Sequence, residues 1–240
     1  MIPKQIHYCW FGGKELPKQA KRCIASWETH CPDWKIIRWD EHNFDFDRYP
    51  FAAWCLKNQK WAFLSDIARL AVVLEHGGVY LDTDVELVRS PDPLCETGAF
   101  FGFQMKELVA TGLGFGAEPG QTAVKAMLDA YLELRPDEAG DYPLIPCPQL
   151  NTEALERLGL IRENRHQRIA GAEVYPMEYF CPYDYTTGKT VKTENTYSIH
   201  WYNQSWISPM GKLRCALTRP FHRIFGVDCF RWLKKKQPEN

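Results

Sequence analysis

The sequence has no run of 18 or more apolar residues, and its opening, MIPKQIHYCWFGG, lacks the apolar core of a signal peptide. These absences argue against a membrane-spanning chain and against export by that route. A basic excess is missing too. With 29 Lys+Arg against 30 Asp+Glu the net charge is −1, which speaks against general nucleic-acid binding. No C-x-x-C pair occurs among the nine cysteines, whose odd number and scatter read as reduced thiols of a cytoplasmic protein, not as a zinc site or a disulfide framework. Internal repeats and low-complexity linkers are absent as well. What is present is 240 residues, enough to bury the core of one large domain. Aromatics make up 14% of them, with nine tryptophans, so that packing is the main use and stacking on bases or sugars a further one.

The pattern along the chain predicts an α/β protein. Ile2 to Phe11 reads as a first strand ending at Gly12-Gly13, Leu16 to His30 as a helix with Pro17 near its start, and Trp34 to Trp39 as a second strand. This β-α-β opening favours parallel pairing. Helical spacing runs from Trp61 to His76, with Leu64, Ile67, Ala68, Ala71 and Leu74 on one side and Gly77-Gly78 as a left-handed stop. A short strand, Val79 to Leu81, comes next. Further on, Gly98 to Gln104 reads as a strand, Gly112 to Gly116 as a glycine-rich extended piece, Gln121 to Leu134 as an amphipathic helix and Pro136 to Pro148 as a loop. Gly171 to Pro182 reads as irregular with one strand, and Thr196 to Trp201 as a late strand.

The chemistry concentrates in SDIARLAVVLEHGGVYLDTDVE, residues 65–86. Asp82 and Asp84 stand one residue apart, so on a continuing strand both carboxylates project to one side. Two carboxylates at a strand's exit can hold a divalent cation through oxygen and leave its other positions open for water or a diphosphate. The competing reading is a pair of turn aspartates. Asp66 and Arg69, at i and i+3, make a surface ion pair by themselves; beside the acidic pair, Asp66 could accept sugar hydroxyls and Arg69 could reach a phosphate or sugar oxygen. Trp10 either stacks on a nucleotide base or is core. His7 could bond the base, although packing is the favoured reading. His200 is either a ligand or a satisfied strand histidine. Gln149 and Asn151 face the reacting centre or, as favoured here, cap a helix start.

These residues resemble a known family. S-D-x-x-R followed by G-G-x-Y-L-D-x-D is similar to the DXD sugar-binding region of glycosyltransferase family 32, which includes capsular-polysaccharide transferases and yeast Golgi mannosyltransferases and is related to the clostridial glucosylating toxins. The opening I-P-K-x-I-H-Y-x-W-F-G-G resembles the family's first strand. P-Q-L-N-T at 148–152 is similar to its G-P-x-x-x-T element, with Cys147 where glycine is usual. Y-P-M-E-Y-F-C-P at 175–182 resembles Y-P-x-x-x-F-Y-P, with Cys181 replacing tyrosine, and S-I-H-W-Y-N-Q-S-W at 198–206 resembles the closing H-x-x-x-S-W.

The resemblance implies a GT-A-type nucleotide-binding mixed sheet flanked by helices, over residues 1–210. It implies a hexosyltransferase that is metal-dependent and retaining, using Mn²⁺ or Mg²⁺ and a UDP- or GDP-linked sugar donor. In that picture Asp84 ligates the metal and Asp82 bridges the metal and the ribose or sugar. Ser65, Asp66 and Arg69 contact the donor, and Tyr80 supports the pocket. His200 or Ser205 completes the metal and diphosphate site, and Trp206 covers the leaving group. A glycan or lipid-linked oligosaccharide acceptor, in capsular or surface polysaccharide synthesis, follows from the same resemblance.

The tail, residues 211–240, mixes cations with Phe221, Ile224, Phe225, Phe230 and Trp232. It reads either as a basic amphipathic membrane contact or as a helix folded onto the domain, with Pro220 and Gly226 predicting two short helices. The first reading implies peripheral attachment at the cytoplasmic face of the inner membrane. Two other functions fit parts of the pattern. L-D-T-D-V-E-L has some likeness to a D-x-D-x-T phosphohydrolase strand, although Glu86 takes the threonine's place, and an acidic pair suits a noncatalytic sugar- or calcium-binding module.

Overall fold

Period-two alternation divides the strands between two apolar layers. Val79 and Phe100 face one layer, while their neighbours Tyr80 and Phe101 face the other. The computed structural model, which describes residues 1–202, 209–226 and 229, shows how the elements use that alternation. Strands β1 (Gln5–Cys9), β2 (Lys35–Trp39) and β3 (Gly78–Tyr80) pair in parallel, with β1 in the middle. The crossover from β1 to β2 is helix α1 (Lys18–His30). The crossover from β2 to β3 carries α2 (Pro50–Lys57) and α3 (Trp61–His76). Beyond β3, the strands are β4 (Val85–Leu87), β5 (Ala99–Met105), β6 (Leu108–Val109), β7 (Phe115–Ala117), β8 (Gln167–Ile169) and β9 (Ala172–Tyr175). The main sheet runs β2-β1-β3-β7-β5-β9-β8, with β6 attached to β5. It is mixed: β7 is antiparallel to both β3 and β5, and β9 runs parallel to β5.

Helices α2 and α3, with α4 (Thr122–Leu132) and α5 (Cys147–Glu156), cover one face; Leu64, Ile67, Leu70, Met127 and Leu155 are fully buried there. On the other face lie α1, through fully buried Trp27, and a small sheet of β4 with β12 (Ser198–His200). A hairpin of β10 (Tyr183–Asp184) and β11 (Lys189–Thr190) precedes β12.

Helix α3 has the predicted bounds. Its stop is Gly77, at φ +66°, where a side chain would run into Pro119 and Pro3. Helix α2 is not anticipated by the sequence reading. Among the described residues the last helix is α6 (Pro209–Phe225), which runs through Pro220 and so corrects the expected break there; it ends before Gly226 at φ +85°, and a second helix beyond that glycine would lie outside the described residues. A proline inside a helix removes one backbone donor and crowds the preceding turn, yet bonding on both sides carries α6 across the defect. Among the described residues, no helix is long and apolar enough to cross a membrane.

Candidate active site

Parallel β1 and β3 deliver their carboxyl ends to one edge of the sheet, the edge at which open α/β sheets bind ligands. Strand β3 ends at Tyr80, so Asp82 and Asp84 do not lie on a continuing strand. They occupy a turn, closed by the Val85 amide donating to the Asp82 carbonyl at 2.9 Å, that leads into β4. The turn, not strand alternation, therefore brings the two carboxylates together. His200 comes to the same place because β12 pairs antiparallel with β4, setting His200 opposite Val85. Its Nε2 lies 3.2 Å from Asp84 Oδ1. Ligand atoms of Asp82, Asp84 and His200 all fall within 4.8 Å of one another.

Helix α3 supplies the next layer. Arg69 Nη2 is 3.1 Å from both Asp66 Oδ1 and Asp82 Oδ1, and Tyr80 donates its hydroxyl to the same Asp82 oxygen at 2.9 Å. The Arg69 guanidinium also lies over the Tyr80 ring, 5.0 Å from its centre. Asp66 is 8% and Arg69 4% exposed, which corrects the reading of a surface ion pair. A pair buried this deeply costs desolvation and persists only as part of a wider network. Ser65 turns its hydroxyl back to the Trp61 carbonyl at 3.0 Å, while its own carbonyl accepts from Arg69 Nε.

Burial pushes the Asp66 carboxyl up to about 6 against the pull of Arg69, with Asp82 adding to the rise. Asp82 is raised by burial as well, opposed by Arg69 and reinforced by Asp84. Burial depresses His200, but the charges of Asp84 and Asp82 outweigh it and the imidazole ends above its ordinary range. Asp66 and Asp82 share the Arg69 guanidinium while Asp84 faces the His200 imidazole, so acidic groups outnumber basic ones and a divalent cation is a favourable occupant. Two carboxylates and an imidazole also make a donor set suited to a hard or borderline ion, so the residues fit the metal that the resemblance implies.

A third layer joins Asn151, read from the sequence as a cap or a site residue, to Thr111 and Cys147, which the sequence reading does not place at the site. Cys147, Thr111 and Asn151 interlock: Asn151 Nδ2 donates to Thr111 Oγ1 at 3.0 Å and approaches Cys147 Sγ at 3.2 Å, and Arg69 Nη1 lies 3.9 Å from that sulfur. Asn151 is fully buried inside α5, which corrects its reading as a cap, whereas Gln149 is exposed and bonds Glu153. Burial lifts the Cys147 thiol to about 11, so it stays protonated. Gly112 passes so close over the pair that a Cβ there would sit 2.6 Å from Asp82 Oδ2 and 3.0 Å from Arg69 Nη1.

His7 and Trp10 sit at the β1 end of this edge. His7 is fully buried; its Nε2 lies 2.8 Å from the Gly77 carbonyl and its Nδ1 receives the Trp39 indole N–H at 3.0 Å. A carbonyl can only accept and an indole can only donate, so the ring is neutral with its proton on Nε2. Its contacts are those of a packing residue. Half-buried Trp10 bonds the Lys14 carbonyl through its indole at 2.6 Å and packs partly on the core. Ser205 and Trp206 lie outside the described residues.

The sheet thus brings an aspartate pair and an imidazole together at its edge. Residues 17–101 match the family model described as a glycosyltransferase sugar-binding region containing a DXD motif. It is 32% identical over 108 residues to a mannosyl phosphorylinositol ceramide synthase of Saccharomyces cerevisiae, covering 42% of this chain and 27% of the relative. To inositol phosphoceramide mannosyltransferase 1 of Schizosaccharomyces pombe it is 26% identical over 110 residues, covering 41% and 33%. The chain thus spans a third or less of these curated relatives. In fold it is similar to the solved PaToxG glycosyltransferase, with a TM-score of 0.51 at 18% identity over 65% of this chain and 69% of that one.

Proposed function

We propose that the chain is a metal-dependent, retaining hexosyltransferase that moves a sugar from a UDP- or GDP-linked donor to a glycan or lipid-linked acceptor. The observation that carries this reading is the meeting of Asp82, Asp84 and His200 beside the buried Asp66–Arg69 pair at the carboxyl ends of β1 and β3. In this proposal Asp84, Asp82 and His200 hold Mn²⁺ or Mg²⁺, which when bound supplies Lewis-acid neutralisation of the departing diphosphate. Arg69, fixed by two carboxylates and by Ser65, offers its remaining N–H groups to sugar or phosphate oxygen. Asp66 accepts from sugar hydroxyls. Tyr80 fixes one Asp82 oxygen and leaves the other for the ligand. Trp10 lines the base end of the site.

The names of the relatives favour a mannosyl donor and a ceramide-type lipid acceptor. Residues 1–210 form the transferase unit in this proposal, and residues 211–240 a basic tail that bears on a membrane surface. Surface-polysaccharide synthesis on the cytoplasmic side is the setting that fits it. A phosphohydrolase of D-x-D-x-T type is disfavoured: Glu86, in the threonine's place, is held by Arg22 at 2.7 Å and by the Trp201 indole at 2.8 Å.

The test is release of nucleoside diphosphate from a panel of UDP- and GDP-sugars, with Mn²⁺ or Mg²⁺ and with chelator. Asp84→Ala should abolish metal-dependent turnover and leave the melting temperature near that of the parent, because a turn carboxylate is not core. A folded Asp84→Ala protein with full activity would refute the proposal.

A further inference from the structure

A histidine that serves as a metal ligand normally has its second ring nitrogen tied to a carboxylate or carbonyl, which fixes the ring's direction. Among the described residues His200 has no such tie. Its Nδ1 is buried without a hydrogen-bond partner among the described residues, while Nε2 points at Asp84. Something else must hold the ring. The Tyr202 ring lies against it, centroid to centroid 4.1 Å, tilted by 52°. On extended backbone two residues this far apart in sequence stand roughly 6–7 Å from each other. Here Tyr202 adopts φ +49°, a left-handed conformation costly for an aromatic residue, and the bend folds its ring back onto His200.

The Tyr202 hydroxyl meets Cys181 Sγ at 2.8 Å, and Cys181 is buried and anchored by its amide to the Met177 carbonyl. Tyr185 touches the Tyr202 ring at 5.3 Å. The small thiol at 181 leaves room for the phenol of Tyr202, so the side chain at 181 and the bend at 202 belong together.

We infer that Tyr202, latched by Cys181, is a positioning residue that aims the His200 imidazole at the acidic pair in place of the missing hydrogen bond. The inference rests on the reading of Asp82, Asp84 and His200 as a cation site. It is tested by titrating Mn²⁺ into the full chain without nucleotide, following free Mn²⁺ by electron paramagnetic resonance. His200→Ala and Tyr202→Leu should each weaken binding about 10-fold or more. Tyr202→Phe and Cys181→Ala should each weaken it several-fold, and their combination no further, since both remove the same bond. If His200→Ala weakens binding and a normally melting Tyr202→Leu does not, the positioning role is wrong and the cation site stands. If His200→Ala itself leaves Mn²⁺ affinity unchanged, the cation site fails, and the positioning role with it. Should Tyr202→Leu fail to fold, Cys181→Ala decides, because it leaves the ring in place; undiminished affinity there overturns the inference.

Discussion

His7 shows how one residue can be wholly structural at the edge of a cleft. Burial, with His76 and Lys35 adding to it against the pull of the Gly77 carbonyl, depresses its imidazole to about 4. The unfolded chain takes up a proton near 6.5 that the folded chain refuses, so stability is complete above that pH and falls as pH drops towards 4, by about 3 kcal/mol. Urea unfolding at pH 7, 5.5 and 4 should show His7→Gln losing one proton's worth of that slope; an identical slope would mean that another group is responsible. Gly112 makes a different point. Its hydrogen is the only substituent that fits over Asp82 and Arg69. Gly112→Ala should push the carboxylate aside and lower kcat/KM about 100-fold, with the melting temperature nearly unchanged. Full activity would show that the loop can give way.

Helix α3 is where sequence and structure agree most closely, because a 3.6-residue apolar period and a glycine stop are both local signals. Asp66 and Arg69 were legible as a pair for the same reason. Their burial was not, since it depends on β3, α5 and the Gly112 loop arriving from elsewhere. Helix α2 escaped notice because eight residues give too few turns for a period to register. The aspartate pair was legible as a motif but placed on a strand, since sequence alone does not say that β3 stops at Tyr80. In the shell of Thr111, Cys147 and Asn151, the amide of Asn151 near a helix start suits a cap as well as a site, and Thr111 and Cys147 carry no local signal of a place in the site. Arg69 ties α3 to the turn after β3. Arg69→Met leaves Asp66 and Asp82 facing each other without a cation and should cost about 3–5 kcal/mol. Adding Asp66→Asn should recover part of that loss; a double variant no better than the single one would show that the pairing is not what Arg69 contributes.

At the scale of the molecule, the charge is balanced overall and uneven locally. Helix α6 contains Lys212, Arg214, Arg219 and Arg223 and no acidic residue. Its Leu217, Phe221, Ile224 and Phe225 are each more than half exposed. Cations beside an open apolar stripe suit the surface of an anionic bilayer. The chain should float with vesicles containing phosphatidylglycerol and not with neutral ones, and Phe221→Glu combined with Ile224→Glu should abolish flotation. Unaltered flotation of that variant would remove α6 from the membrane proposal. Arg219 also donates to the Tyr185 carbonyl at 3.1 Å, so the helix rests on the hairpin beside β12.

The pairing of β12 with β4 has a consequence for the order in which the protein comes into being. The aspartate turn is synthesised long before His200, which emerges more than a hundred residues later. A nascent chain still threaded through the ribosome therefore carries two acidic ligands without their imidazole. Under the proposed function, the cation site is complete only once β12 has paired with β4.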